Sequence, residues 1–106
     1  MPAVASTLLS RTRHRRLQQA QLAAIRKSEW FDRQWYLDTY PDVRNANADP
    51  VEHYFGSGWR ENRNPCPRFD TAFYLRSNPD ISEAGVNPLW HFIEFGHKEG
   101  RLPRKP

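Results

Sequence analysis

The chain has 106 residues, which gives room for one small domain and little room for the deep substrate cavity of a large enzyme. Mean hydropathy is −0.89, but aromatic residues make up 13% of the chain and supply enough bulk for a core. The first 30 residues hold six Lys and Arg against one acid, whereas residues 31–106 hold ten against eleven. Basicity therefore belongs to the N-terminal segment, residues 1–30.

The cysteine content and the hydropathy limit the compartments in which the protein is expected. Cys66 is a lone cysteine between two prolines, so the sequence predicts neither a disulfide-stapled secreted domain nor a catalytic thiol; an exposed thiol there would be able to cross-link two chains. No apolar stretch approaches the length of a membrane span, and the Arg cluster at 11–16 follows the apolar stretch at 3–9, which argues against a secretory signal. We expect a cytoplasmic location, and the alternative is a location at the inner face of the membrane.

The N-terminal segment is the first predicted element. Residues 6–27 lack Pro and Gly and are rich in Leu, Ala, Gln and Arg, which favours a helix with a poor apolar face. Two interpretations stay open. Either Leu17, Leu22 and Ile25 cap the rest of the fold, or the segment is a frayed basic arm.

The remainder of the chain is an internal duplication. Residues 31–68 align with residues 69–106 without a gap at a shift of 38 positions, and 13 of the 38 pairs are identical. The identical pairs are Phe31/Phe69, Asp32/Asp70, Tyr36/Tyr74, Leu37/Leu75, Pro41/Pro79, Asp42/Asp80, Ala46/Ala84, Pro50/Pro88, His53/His91, Gly58/Gly96, Glu61/Glu99, Arg63/Arg101 and Pro65/Pro103.

Each copy reads as three short helices, and the signals for the first two are local. Asp32 and Asp70 have the position of N-caps, and the aromatic residues just before and four residues after them have the spacing of a hydrophobic staple. Pro41 and Pro79 end the first helix and suit the first turn of the second, where Asp42 or Asp80 complements the positive helix end.

Two pairs of positions exchange Asn for Gly between the copies. Asn47 corresponds to Gly85, and Asn62 corresponds to Gly100. Asn and Gly share a tolerance of the left-handed backbone region. The sequence therefore predicts a positive φ at all four residues.

The third helix begins with Asp49 or Asn87 as N-cap and a proline at N1, and we expect Gly58 or Gly96 to be its C′ residue. Its core stripe follows the i, i+3, i+4 spacing. In the second copy, Trp90 and Phe95 make the helix apolar nearly all round, so it is either buried or carries a contact surface. The stripe consists of Val51, Tyr54 and Phe55 in the first copy and Leu89, Phe92 and Ile93 in the second.

The segments "FDRQWYLDTYPDVRNANADPVEHYFGSGWRENRNP" and "FDTAFYLRSNPDISEAGVNPLWHFIEFGHKEGRLP" resemble a short tandem repeat of bacterial proteins of surface-polysaccharide biosynthesis. The resemblance covers residues 31–106 and departs from the usual pattern at Asn47 and Asn62. It implies a non-catalytic segment that accompanies glycosyltransferase domains. It carries no catalytic residue over to this chain.

The recurring polar residues invite two kinds of site. His53 and His91 suggest a metal or acid–base site, but no H-x-x-x-H or C-x-x-C spacing accompanies them, which favours hydrogen bonds to turn carbonyls between the repeats. Glu61 and Glu99 would suit a glycosidase-like acid and base. Arg63 or Arg101 lies two residues away and favours the ionised carboxylate, so loop-pinning ion pairs are the preferred interpretation.

The candidate binding residues are Trp59, Trp90 and Phe95, because they differ between the copies and the shared scaffold does not require them. If they are exposed, they would stack on sugar rings or anchor a partner protein; a core role is the alternative. The basic residues would contact phosphates of nucleic acid or anionic lipid, or form a solvated arm. These basic residues are Arg11, Arg13, Arg15, Arg16, Arg26 and Lys27.

The sequence thus predicts an all-α protein of two stacked repeats of three short helices each, which form one domain, preceded by a basic helical segment. We expect no cofactor and no metal. The predicted function is a non-catalytic module that contacts a protein of polysaccharide assembly, a glycan or a second copy of itself. The alternative is an adaptor that binds nucleic acid or an anionic membrane through the basic segment.

Overall fold

The computed structural model describes residues 2–106, with the backbone alone described for residues 2–10. The protein is all-α, and no strand occurs in this range. Helix α1 comprises Pro2–Arg26 and is followed by α2 (Arg33–Thr39), α3 (Pro41–Asn45) and α4 (Pro50–Gly56), after which a 3₁₀ turn spans Gly58–Glu61. The second copy contains α5 (Thr71–Ser77), α6 (Pro79–Ala84) and α7 (Pro88–His91), which continues into a π-helical turn at Phe92–Gly96.

The first helix of each copy begins as its sequence predicts. Asp32 accepts a hydrogen bond from the amide of Trp35 at 3.0 Å, and Asp70 accepts one from the amide of Phe73 at the same distance. Helix α2 ends at Thr39, and Tyr40 leaves helical geometry with a φ of −120° and a ψ of 79°, because proline disfavours helical geometry in the residue that precedes it.

The four positions that exchange Asn for Gly all have the predicted left-handed backbone. The φ angle is 55° at Asn47 and 62° at Asn62, and it is 70° at Gly85 and 77° at Gly100. A side chain with a Cβ is strained in this region unless it is Asn or Asp, which explains why the duplication preserved this restricted choice.

The prediction that a glycine is the C′ residue of the third helix is correct for Gly58, because α4 ends at Gly56 with Ser57 as its C-cap, and it is wrong for Gly96. Neither glycine has a positive φ, and Gly96 is the last residue of the π-helical turn. Helix α4 ends at Gly56, two residues before Gly58. Gly56 and Ser57 favour this end, because Gly and Ser are poorer helix formers than Glu94, the residue of the second copy that corresponds to Gly56.

Each copy closes on itself through the backbone. The amide of Asp32 donates to the carbonyl of Pro65 at 3.0 Å, and the amide of Asp70 donates to the carbonyl of Pro103 at 2.8 Å. These bonds join the second residue of each copy to the last of its recurring residues. The 38-residue period is therefore also a hydrogen-bonded unit.

Thr71 lies where the two copies meet. Its hydroxyl donates to the carbonyl of Arg63 at 2.7 Å, so the hydroxyl of Tyr54, 2.9 Å away, must donate to Thr71. The amide of Thr71 donates to the side chain of Asn64 at 2.9 Å. Thr71 is fully buried, and these three bonds satisfy polar groups that burial would otherwise leave unpaired.

One core cluster takes residues from both copies and from α1. Its fully buried members include Ile25, and Leu22 packs against it, so the end of α1 docks on the repeats as one interpretation predicted. Leu17 does not belong to this cap, because it is 62% exposed. Residues 11–20 are all exposed, which leaves this part of the helix in solvent. The large fully buried side chains are Tyr36, Tyr54, Tyr74, Phe69, Phe92, Ile25 and Leu89.

Candidate functional site

The recurring histidines are held by tyrosines of their own copy. The hydroxyl of Tyr36 lies 2.8 Å from Nδ1 of His53, and the hydroxyl of Tyr74 lies 2.8 Å from Nδ1 of His91. The expected bonds to turn carbonyls between repeats are therefore replaced by bonds within each repeat. Tyr36 and Tyr74 also form the hydrophobic staples at the starts of the first helices. The ring centroid of Tyr36 lies 5.3 Å from that of Phe31, and the ring centroid of Tyr74 lies 5.3 Å from that of Phe69.

Gly58 and Gly96 complete this arrangement. A Cβ at Gly58 would collide with the hydroxyl of Tyr36, and a Cβ at Gly96 would collide with the hydroxyl of Tyr74. Glycine is required here because a buried phenol lies against the backbone, and not because of a special φ. We refer to each Tyr, His and Gly set as a Tyr–His–Gly unit.

The surroundings of the second Tyr–His–Gly unit favour the neutral forms of its histidine and tyrosine. Burial lowers the pKa of His91, and the nearby charge of Arg101 lowers it further. Burial also raises the pKa of Tyr74 to about 12. Both effects keep the hydrogen-bonded pair uncharged at neutral pH, which suits a packing role better than proton transfer.

The recurring arginines pin the loop after the third helix to the start of the second helix. Arg63 makes two hydrogen bonds to the carboxylate of Asp42, at 2.9 and 2.8 Å, and its Nε lies 2.9 Å from Glu61. The guanidinium of Arg63 hydrogen-bonds Asp42 and thereby holds the pKa of that carboxyl below its usual range. The expected Glu–Arg pair exists, and the sequence interpretation missed that Asp42 is a second partner.

The second copy repeats this ion-pair geometry. Arg101 lies 3.1 Å from both carboxylate oxygens of Asp80 and 2.9 Å from Glu99, and it also donates to the side chain of Asn78 at 2.8 Å. The Arg101 hydrogen bonds likewise lower the pKa of Asp80. A glutamate held by arginine favours the ionised form and opposes the role of a general acid.

The three candidate aromatic residues have different surroundings. Trp59 is only 9% exposed, its Nε1 donates to the carbonyl of Phe55 at 3.1 Å, and the guanidinium of Arg60 lies 4.6 Å from its ring centroid. It therefore lacks the open ring face that the stacking hypothesis requires. Trp90 is partly buried and meets Phe95 edge-on at 5.7 Å between ring centroids. Phe95 is 49% exposed.

The basic residues divide into two groups. Arg11, Arg13, Arg15 and Arg16 are exposed on α1, and no ion pair joins them to another described residue. Arg26 instead lies 3.0 Å from the carboxylate of Asp49 and 3.9 Å from that of Glu52. Arg26 therefore helps to dock α1, although it was a candidate for polyanion binding. Lys27 is exposed just after the helix.

Three further features considered from the sequence are the cysteine, metal binding and a membrane span. Cys66 is buried, so it is not the exposed cross-linking thiol considered from the sequence, and burial raises its pKa. Within residues 11–106, no group of three or more His, Cys, Asp or Glu side chains is arranged to hold a metal ion. In the part of the chain that the structure describes, no helix has the length and apolar character needed to cross a membrane.

Comparison with known proteins adds no relative: neither a protein-family model nor a curated protein nor a solved structure matches the chain.

Proposed function

We propose that the chain is a non-catalytic interaction module of bacterial surface-polysaccharide production, which contacts a glycan or a protein of glycan assembly. The observation that carries this proposal is the pair of Trp90 and Phe95, which we call the aromatic pair. Phe95 is half exposed and rests edge-on against Trp90, which is itself packed against the core. A rigidly supported aromatic surface of this kind suits stacking against a sugar ring or a partner side chain.

The duplication supports assigning the contact to the aromatic pair. The corresponding residues of the first copy are Glu52 and Ser57, and the first copy folds into the same three helices. The scaffold therefore does not need aromatic side chains at these two positions. The residues that do recur, such as His91, are occupied by bonds within the scaffold.

The resemblance of residues 31–106 to repeats of polysaccharide-biosynthesis proteins supports the choice of partner. We place the module in the cytoplasm, where glycans are assembled by glycosyltransferases at the inner face of the membrane. It needs no cofactor for this role. The proposal also allows a second copy of the chain as a partner of the aromatic pair.

The experiment is a titration of the protein with an acidic bacterial polysaccharide, alginate, and with neutral dextran, followed by calorimetry. Phe95→Ser installs the residue of the first copy and should weaken binding by about tenfold or more, which corresponds to about 1.4 kcal/mol. The matched control is Leu102→Asn, because Leu102 is 50% exposed and the first copy has Asn64 there. Equal loss in both variants, or none in Phe95→Ser, would contradict the proposal.

A second candidate function is a polyanion-binding adaptor, which the exposure of residues 11–20 favours. Binding through Arg11, Arg13, Arg15 and Arg16 would displace counterions and weaken steeply with salt. A variant with these four arginines changed to Gln separates the functions. It should lose binding to duplex DNA and keep Phe95-dependent binding to glycan.

A further inference from the structure

Four arginines lie close together in the first half of α1, and we call them the arginine cluster: Arg11, Arg13, Arg15 and Arg16. All four side chains are exposed. Within residues 11–106, none of them takes part in an ion pair, and residues 1–28 contain no Asp or Glu. No neighbouring acid therefore balances the positive charge of the cluster, and this charge is open to an anionic partner.

The other end of α1 is fixed to the repeats. Ile25 is fully buried in the core, and Leu22 packs against it. Arg26 lies 3.0 Å from the carboxylate of Asp49. Residues 11–20 belong to the same helix and are all exposed, so tertiary packing contributes little to their helical structure. Isolated helices shorter than about 12–15 residues are marginal in water, so a partner would stabilise these turns.

The arginines are spread around the axis of α1. At about 100° per residue, Arg13 lies about 200° from Arg11, Arg15 about 40° and Arg16 about 140°. Along the axis they occupy a short stretch, because five residues rise by about 7.5 Å. This height is close to the thickness of the headgroup layer on one side of a bilayer, which is about 5–8 Å.

The sequence before the arginine cluster is uncharged. Residues 2–9 belong to the helical backbone of α1, and none of them is Asp, Glu, Lys or Arg. Along its axis, α1 therefore changes from an uncharged segment to the arginine cluster and then to the docked end. A bilayer has a matching order, because its acyl layer is followed by a layer of phosphates and then by water. An apolar contact and a basic cluster together give stable membrane binding, whereas either one alone is weak.

A membrane fits this arrangement better than nucleic acid does. A helix in the major groove faces the bases with one side, so arginines on its other side point away from them. An uncharged segment also adds nothing to the release of counterions, which dominates non-specific binding to nucleic acid. A headgroup layer, in contrast, surrounds a helix that enters it at a steep angle, and all four arginines then meet phosphates.

We propose that α1 docks the protein on a bilayer that contains anionic phospholipid. The arginine cluster lies among the lipid phosphates, the uncharged segment enters the acyl layer, and the docked end holds the repeats at the membrane surface. This inference rests on the second candidate function, in which the basic residues bind a polyanion, and it names anionic lipid as that polyanion. It does not depend on the aromatic pair.

The test is co-sedimentation of the whole protein with vesicles of phosphatidylcholine alone or of equimolar phosphatidylcholine and phosphatidylserine. Each basic residue near an anionic surface contributes about fivefold, so changing the arginine cluster to Gln should weaken binding to the mixed vesicles by about a hundredfold or more. Circular dichroism and Tm establish that this variant is folded. The matched control removes the same charge from exposed residues of the repeats and should keep most of the binding; these residues are Arg33, Arg76, Lys98 and Lys105.

A second variant separates lipid from nucleic acid. Leu8→Asn combined with Leu9→Asn keeps the net charge and reduces the apolar character of the uncharged segment. It should weaken vesicle binding by about tenfold or more and leave binding to duplex DNA unchanged. Tighter binding of the natural protein to duplex DNA than to mixed vesicles, or an unaltered vesicle affinity in the leucine variant, would overturn the choice of lipid.

Two further outcomes would overturn the membrane contact. One is equal binding to phosphatidylcholine alone, and the other is an equal loss in the arginine variant and in its matched control. Phe95→Ser should bind vesicles like the natural protein. Phe95-dependent binding to alginate without binding to vesicles would therefore remove this inference and keep the proposed function, whereas vesicle binding without glycan binding would do the reverse.

Discussion

The hydroxyl of Tyr74 lies 2.8 Å from Nδ1 of His91, and the same bond joins their counterparts 38 residues earlier in the chain. The bond spans 17 residues and connects the first helix of a copy to the third. It accounts for three of the identities that the duplication preserves, because the tyrosine, the histidine and the glycine beneath them form one packed unit. The recurrence of His91 therefore has a structural explanation.

The glycines of these units should be intolerant of a methyl group. Gly58→Ala and Gly96→Ala each push a Cβ against a buried tyrosine hydroxyl, and we expect a loss of about 1–3 kcal/mol in the free energy of unfolding. Gly56→Ala is the matched control, because a Cβ there meets nothing within 4 Å. It should be neutral or stabilise by up to about 1 kcal/mol. Urea titrations compare the three variants, and equal effects at Gly56 and Gly96 would contradict this explanation.

Removing the tyrosine hydroxyl should relieve the glycine requirement. In a Tyr74→Phe background the added Cβ of Gly96→Ala no longer meets the hydroxyl, so the second substitution should cost less than it does alone. We expect a coupling free energy of about 0.5–3 kcal/mol from a double-mutant cycle by urea unfolding. Strict additivity would show that the hydroxyl is not what excludes the methyl group.

His91 should make stability depend on pH in the mildly acidic range. Its pKa is lowered from 6.5 by burial, so the unfolded chain takes up a proton at a higher pH than the folded chain does. The contribution of the neutral imidazole is complete above pH 6.5 and is lost as the pH falls from there toward the folded-state pKa. Tm measured from pH 8 to 5 should fall less in His91→Gln than in the natural protein. An equal fall of Tm in His91→Gln and in the natural protein would contradict this explanation.

The arginine of the loop clamp should not be replaceable by lysine. Arg101 spans both oxygens of Asp80 and also reaches Asn78, a geometry that the single ammonium of lysine does not reproduce. Arg101→Lys should therefore lower Tm. Arg44→Lys is the control, because Arg44 lies 3.9 Å from Asp38 in an exposed ion pair and should tolerate the change. Calorimetric scans of both variants at pH 7 make the comparison, and an unchanged Tm in Arg101→Lys would refute the clamp.

Local signals in the sequence were sufficient for much of the fold. The caps at Asp32 and Asp70 depend only on the next three residues, and the positive φ at Asn47 is visible from its exchange with Gly85. The duplication also indicated which residues the scaffold requires, because those residues recur in both copies. Such features could be predicted because they follow from backbone chemistry within one turn.

Contacts across the fold could not be predicted in the same way. Tyr74 lies 17 residues from His91, and Asp80, the second carboxylate partner of Arg101, lies 21 residues from it; only their shared recurrence linked these residues in the sequence. Trp59 was considered as an exposed contact, but tertiary packing and Arg60 cover it.

The most direct test of the account compares Phe95→Ser with His53→Gln in a titration with alginate at fixed salt. The central claim is that the aromatic pair makes the contact and that the recurring Tyr–His–Gly units hold the scaffold. We predict that Phe95→Ser keeps its Tm and loses affinity by about tenfold or more, whereas His53→Gln has a lower Tm and retains affinity. A folded His53→Gln protein that no longer binds, beside a Phe95→Ser protein that binds like the natural one, would contradict the account.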